Sequence, residues 1–437
     1  MNLPLYPSQL RMWQQEQDRP GRRDCLVAAL ARLTGRVDAD ALDDALTTVV
    51  DRHEALRTGF SAPDGEPRGF VVPTPVSLLR VVDLRNRQLS SAQITTLASE
   101  DSSAPFDLAA PPLIRAVLWQ RSDEDAVLSM TMHHIATDGW STGIVVRELA
   151  ELYSAGVRGR PPVLHSPVPR YADFVADRQA WLRGAEAAAQ LSAWLTELAG
   201  HRALAIPAGP AAGTAGAPGD AVLTGFGAEL SDRIRHFART SRTTSFVFLL
   251  AVAYGLLAGL TGEPDITLGS AMANRTRRAD EHTVGFLTNL VLLRAHVHRA
   301  RPFTELLASA GDRVLGAYER QAVPIEHILE RAGNISPKVL FCADNAAGVP
   351  WDFAGLTATP LDRGWIAPKR PLSLFVHEAA GQFQVRLVYR TDVLDRGTAT
   401  ALGAAYRDLA GGAVDRPGAS VGELLDAVRL PSVQPPP

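Results

Sequence analysis

His133, His134, Asp138 and Gly139 fall within seven residues of one another, in the stretch MTMHHIATDGWS (Met130–Ser141). An imidazole titrates near neutral pH, so it can take a proton and return it. Asp138 has two uses open to it: orienting an imidazole, or pairing with an arginine and holding the loop. Gly139 permits a turn closed to other residues and bares an N–H that can donate to a developing oxyanion. A base, a fixed loop and a backbone donor together suit acyl transfer. A histidine at a strand end and an Asp-Gly turn are each commonplace. The full HHxxxDG pattern is not, since composition gives about 0.001 chance occurrences in a chain of this length.

The element that must present these residues is a strand, AVLSMTMHH (126–134). Alternation puts Leu128, Met130, Met132 and His134 on one face, and Val127, Ser129, Thr131 and His133 on the other. The two imidazoles therefore point apart, and only one can face a given reacting group. His134 is the candidate because reactive groups are displayed at strand ends and in the loops that follow. The same opposition argues against a metal: ligands on opposite strand faces cannot readily meet one ion, so none is expected.

The spacing predicts a neighbouring strand, LIRAVLWQ, joined through the polar turn Arg121–Asp125. A helix over STGIVVRELAELYSAG, stopping near Gly156, should follow the motif. Another helix should start at Asp38 or Asp40, with Leu42, Leu46, Val49, His53 and Leu56 on one face. After the Ala/Gly/Pro run Ala205–Asp220 the helix and strand signals restart. Strands are expected at DITLGSAMA, VGFLTNLVLLRAHV, PKVLFCADN, LSLFVHE and FQVRLVYR, with a closing helix ending at Gly411 and Gly412. Both halves read as mixed sheets with flanking helices, an α/β (α+β) class.

A chain of 437 residues exceeds one ordinary core. We expect a first lobe over 1–180, a linker over 181–220, a second lobe over 221–430 and a loose tail over 431–437. Apolar residues make up 46% and charged residues 21%, with a net charge of −3 and no basic block, so nucleic acid is not an expected partner. Two cysteines without CxxC spacing fit a reducing cytoplasm rather than a disulfide framework. The N-terminus lacks the basic-then-apolar pattern of a signal peptide. SFVFLLAVAYGLLAGL, from Ser245, reads as a buried helix rather than a membrane span.

MHHIATDGWS resembles the active-site signature of nonribosomal peptide synthetase condensation domains, which share the chloramphenicol acetyltransferase fold. The resemblance extends along the chain in the family's order. It takes in YPSQLRMWQQEQ, DRHEALRTGF, PFDLAAPPLIRAVL, RYADFVADRQAWL, AMANRTRR, VGFLTNLVLLR, QAVPIEHIL and VYRTDVLD. Departures include Asp177 where the family often has Trp, and Leu287-Thr288 before Asn289. The resemblance implies two acetyltransferase-like lobes in a V-shaped pseudo-dimer with the active site between them, where carrier-tethered substrates meet at His134. It implies a structural Asp138 held by an arginine, with Arg275 the first candidate and Arg57 the second. Trp140, Ser141 and Asn289 are the substrate-channel candidates. No cofactor of its own is implied, because phosphopantetheine comes on acyl or peptidyl carrier proteins acting in trans.

The length leaves no room for adenylation or carrier domains, so a freestanding condensation enzyme of natural-product (antibiotic) biosynthesis is expected, forming an amide with an amine. An ester-forming enzyme using an alcohol is the alternative. A catalytically silent docking module of the same fold is the alternative from another class. The epimerising, heterocyclising and plant acyl-CoA relatives carry motifs this sequence lacks.

Overall fold

The computed structural model describes residues 2–202, 204, 206, 218–333, 335–343, 351–362, 364 and 366–432. Its residues group into two compact units. The first holds Met1–Trp181, Arg275–Thr288 and Val349–Trp365; the second holds Leu182–Asn274, Asn289–Gly348 and Ile366–Pro437. Two stretches from the second half of the chain thus belong to the unit that carries the HHxxxDG motif.

That first unit is built on a five-stranded sheet, ordered Thr357–Leu361, Leu26–Thr34, Asp125–His133, Ile114–Ser122 and Leu79–Asp83. The strand leading into the motif is central and antiparallel to both neighbours, with Leu26 opposite His133 and Ile114 opposite Met132. All nine of its residues are buried, as a strand covered on both faces requires. Leu128, Met130 and Met132 pack with the helices Ala39–Arg52 and Gly139–Arg158. On the other face Val127 joins Leu30, Val117 and the helix Ser91–Ser102. Ser129 spends its hydroxyl there on the Trp119 indole N–H, at 3.1 Å. Three short strands, Asn2–Leu3, Arg68–Val71 and Thr58–Ser61, form a separate small sheet.

The helix Ala39–Arg52 starts where Asp38 accepts the Ala41 N–H. It stops one residue before His53, which lies beyond the helix rather than on its apolar stripe. His53 instead donates from Nε2 to Glu148 at 2.9 Å, beside Arg52 at 3.0 Å, fastening this helix to Gly139–Arg158. Burial pushes the Glu148 carboxyl up, but its hydrogen bonds to His53 and Arg52 outweigh this and hold it at about 2, against an ordinary 4.5. A depressed acid stabilises the fold fully above its unfolded pKa and loses that contribution as pH falls through the folded value. We therefore expect Glu148 to contribute about 3 kcal/mol above pH 4.5, fading towards pH 2. Denaturant titrations at several pH values check this: the Glu148→Gln variant should show a flatter acid limb than the parent over that window. Parallel acid limbs would refute it.

The second unit carries a six-stranded mixed sheet, ordered Asn289–His296, Asp265–Met272, Val339–Ala343, Leu372–Ala379, Gln382–Arg390 and Gly219–Gly225. The helix Ser245–Thr261 is buried continuously from Val247 to Ala258. No single helix among the described residues is long and apolar enough to cross a membrane.

Four local expectations need correction. The stretch 181–220 is not linker throughout: Ala185–Leu198 is a helix whose Ala187, Leu191, Trp194 and Leu198 are buried at helical spacing. Of the Ala/Gly/Pro run, residues 205 and 207–217 lie outside the described residues, as does 433–437 of the tail. The strand expected from Val284 begins only at Asn289, because the Leu287 and Thr288 N–H groups are committed to Asp138. The helix after the motif runs past Gly156 to Arg158, with Gly159 closing it at φ +63°. The last long helix continues through Gly411 and Gly412 to Asp415.

Candidate active site

The strand ends at His133, and His134–Ala136 turn as a single 3-10 turn before the helix Gly139–Arg158 begins. The main chain fixes that turn at both histidines. The His133 N–H donates to Leu113 O at 3.0 Å and the His134 N–H to Cys25 O at 2.8 Å.

The His134 ring is partly buried. Its Nδ1 lies 2.7 Å from Thr137 O. A carbonyl oxygen only accepts, so Nδ1 carries the proton and, in the neutral ring, the lone pair sits on Nε2. The Phe286 ring packs against the imidazole with centroids 4.8 Å apart and planes tilted by 56°. The Tyr171 hydroxyl donates to Phe286 O at 3.0 Å and so helps fix that aromatic neighbour.

Asp138 is fully buried and does not orient the imidazole. It caps the helix by accepting the Ser141 N–H at 2.8 Å. It also pairs with Arg275, whose NH1 is 3.0 Å from Oδ2 and whose NH2 is 3.2 Å from Oδ1. The Leu287 N–H, Thr288 N–H and Thr288 hydroxyl donate to Oδ2 at 3.0–3.1 Å. Burial pushes this carboxyl up, but the charge and hydrogen bonds of Arg275, with those of Ser141, outweigh it and the acid is held below its ordinary range. One carboxylate thus joins the start of a helix to the distant segment Arg275–Thr288.

The other sequence candidates divide. Gly139 is the first residue of the helix and has no left-handed φ, so backbone freedom is not what the structure uses there. Its N–H belongs to the turn where helix donors are unmatched and the dipole is positive. His133 points away into the protein, with its ring edge-on to Phe106. Ser141 is fully buried: its hydroxyl donates to Gly285 O at 2.9 Å and accepts from Gly285 N and Arg275 NH2. It is a structural tie rather than a channel wall. Asn289 is likewise buried and spends both ends of its amide on backbone, its Nδ2 donating to Gln321 O and Val323 O and its Oδ1 accepting from the Ile325 N–H. Trp140 is 45% exposed, donates to Glu281 O, and lies over the Arg275 guanidinium at 5.5 Å. Arg57 takes no part in the Asp138 cluster; it donates to the carbonyls of Val72 and Asp51.

Sequence reasoning passed over Thr137, which acts through its carbonyl and so leaves no side-chain signal. Phe286 lies within VGFLTNLVLLR, where the sequence alone assigns it no role. Gly285 is another such position. A Cβ there would meet the Tyr171 ring at 2.0 Å, and that ring is buried and tied to Phe286 O. Gly285→Ala should cost about 1–3 kcal/mol through overpacking. Chemical denaturation checks this, and an unchanged midpoint would show that the ring yields freely.

Mixed sheets flanked by helices, and the superpositions on solved condensation-type structures given below, place the fold in the acetyltransferase-like class. Within that class the chain belongs to the condensation-domain family, whose model, described as "Condensation domain", matches residues 1–425. It is 32% identical over 435 residues to a linear gramicidin synthase polypeptide of Brevibacillus parabrevis, covering 97% of this chain and 6% of that protein. The chain spans only part of such relatives: 6% of that polypeptide, and 31% of the phosphinothricin tripeptide synthetase PhsC of Streptomyces viridochromogenes, to which it is 34% identical over 338 residues. The fold superposes on the SgcC5 protein from Streptomyces globisporus with a TM-score of 0.77 at 26% identity, covering 92% of this chain and 95% of that one. It superposes on the X-domain from teicoplanin biosynthesis with a TM-score of 0.85 at 22% identity, covering 98% of both chains.

Proposed function

We propose that the chain transfers an acyl or aminoacyl group from a carrier-protein thioester to an amine, forming an amide in nonribosomal peptide or hybrid natural-product assembly. The observation that carries this reading is the His134 tautomer: the Nδ1–H bond to Thr137 O assigns the base to Nε2. The amine nitrogen attacks the thioester carbonyl carbon. A C–N bond forms, the C–S bond breaks, and the proton shed by the amine passes through Nε2 to the leaving thiolate. The Gly139 N–H, at the positive end of its helix, is our candidate donor to the oxyanion. The phosphopantetheine arm is part of the carrier-bound substrate, so the chain needs no resident cofactor for this chemistry. Bringing two tethered reactants together supplies much of the rate, since such positioning can offset roughly 7–11 kcal/mol of barrier.

An alcohol acceptor, giving an ester, is the second reading. It is favoured by the SgcC5 protein, which was crystallised with a naphthyl-substituted ethanediol. The test supplies an acyl-carrier thioester with panels of carrier-bound amines, free amines and alcohols, and detects products by mass. Amide products support the first reading and ester products alone the second. No transfer with any acceptor, together with tight binding to another protein, would replace both with a docking module.

A further inference from the structure

The first long helix, Pro7–Asp18, lies outside the HHxxxDG motif, yet three of its polar residues are buried: Ser8, Gln9 and Glu16. Gln9 and Glu16 are two helical turns apart and so share a face. Both address the turn that carries His134. The Gln9 amide donates to Ile135 O at 3.0 Å. Glu16 Oε1 lies 3.5 Å from Nε2 of His133.

The protonation of His133 follows from its other nitrogen. The Ile135 N–H donates to His133 Nδ1 at 3.1 Å, so Nδ1 bears the lone pair and the proton is on Nε2. That N–H faces the Glu16 carboxylate. The His133 residue is 1% exposed and Glu16 7% exposed. Neither Nε2 nor Oε1 has a hydrogen-bond partner among the described residues, so each is the other's recourse against burial.

Cys25 joins His133 and Glu16 in a group of three residues whose potential ligand atoms, one from each, lie within 4.8 Å of one another. A metal ion on Nε2 would need the lone pair there and the proton on Nδ1, which would then oppose the Ile135 N–H. The hydrogen bond to Nδ1 therefore favours a proton at this site over an ion.

We propose that Glu16 is a positioning residue for His134. The carboxylate selects the Nε2–H form of His133, and that form accepts the Ile135 N–H. With Gln9 on Ile135 O, this shapes the turn that aims the His134 imidazole. The proposal rests on reading His134 as the base, but its first test needs no substrate. In ¹⁵N-histidine-labelled protein, the ring-nitrogen shifts of His133 should report Nε2–H in the parent. Glu16→Leu should give a mixture of tautomers at His133 and disturb the Nδ1–H signature of His134. In the acyl-transfer assay Glu16→Leu should lower kcat about tenfold to a hundredfold with little change in KM. Glu16→Gln keeps an acceptor oxygen and should restore both the spectrum and most of the rate; it also serves if the leucine variant fails to fold.

Unchanged tautomers in Glu16→Leu would overturn the proposal. So would a Glu16→Gln spectrum in which His133 takes the Nδ1–H form. Added zinc that shifts His133 to Nδ1–H with a metallated Nε2 would overturn it in favour of an ion site. A His134→Ala enzyme with full activity would instead remove the reading of the base, while leaving the tautomer result standing.

Discussion

Replacing His134 with alanine should lower turnover by about 10²–10⁴, the range for losing a general acid–base group, while the melting temperature stays near that of the parent. The two halves of this expectation have separate causes. On the proposed reading the side chain supplies Nε2 as the proton acceptor, and alanine has no replacement. The fold is spared because the links that build the turn are largely main-chain: His134 N–H to Cys25 O, and Thr137 N–H to His134 O. The ring bond to Thr137 O is lost, but the carbonyl belongs to a short turn beside a partly exposed position. Steady-state kinetics with a carrier-bound donor, run beside a thermal melt, separates the two effects. Parent-like rates in the variant would take the imidazole out of the mechanism and leave positioning alone as the source of catalysis.

Asp138→Ala should by contrast unsettle the fold itself, with a loss of about 3–5 kcal/mol in stability. Asp138 is fully buried and the Arg275 side chain is 2% exposed. Deleting the carboxylate strands a guanidinium where water cannot compensate it. It also removes the N-cap of Gly139–Arg158 and the shared acceptor of Leu287, Thr288 and Ser141. Asp138→Asn should fall between alanine and the parent, since an amide keeps an acceptor but lacks the charge. The double variant Asp138→Leu with Arg275→Met should be more stable than Asp138→Ala, because it removes the stranded charge rather than leaving it. Denaturant unfolding of the four proteins decides the point, and an Asp138→Ala midpoint equal to the parent's would refute the role. Activity should fall with stability here, because the same cluster holds the segment that brings Phe286 against His134.

How much of this was legible beforehand depends on the kind of contact. The strand bearing His134 could be read because alternation is local: Leu128, Met130 and Met132 do share one core and Val127 another. The helix cap at Asp38 could be read for the same reason. The family resemblance supplied what periodicity could not, the pairing of Asp138 with an arginine 137 positions away. Backbone donors and acceptors escaped both approaches. Thr137 matters through its carbonyl, and the N–H groups of Leu287 and Thr288 turned the first five residues of an expected strand, 284–288, into a loop. Ser141 and Asn289 are polar residues near quoted motifs, and the sequence did not say that local backbone would consume their hydrogen-bonding capacity. Glu16 is a further case: a charged residue on a helix normally reads as solvent-facing, and only the tertiary position of His133 gives it another meaning.

The membership of Arg275–Thr288 in the first unit has a consequence for biosynthesis. During translation Asp138 leaves the ribosome well before its counterion, with 137 positions between them. At ordinary elongation speeds that interval is roughly 7–27 s. Throughout it the nascent segment has a carboxylate meant for a dry interior without Arg275 to meet it, so the buried cluster around Asp138 can be completed only after synthesis has passed residue 288. Fragments ending near residue 181 would be poor stand-ins for the intact molecule, and chaperone dependence in the cell should concentrate in this waiting period.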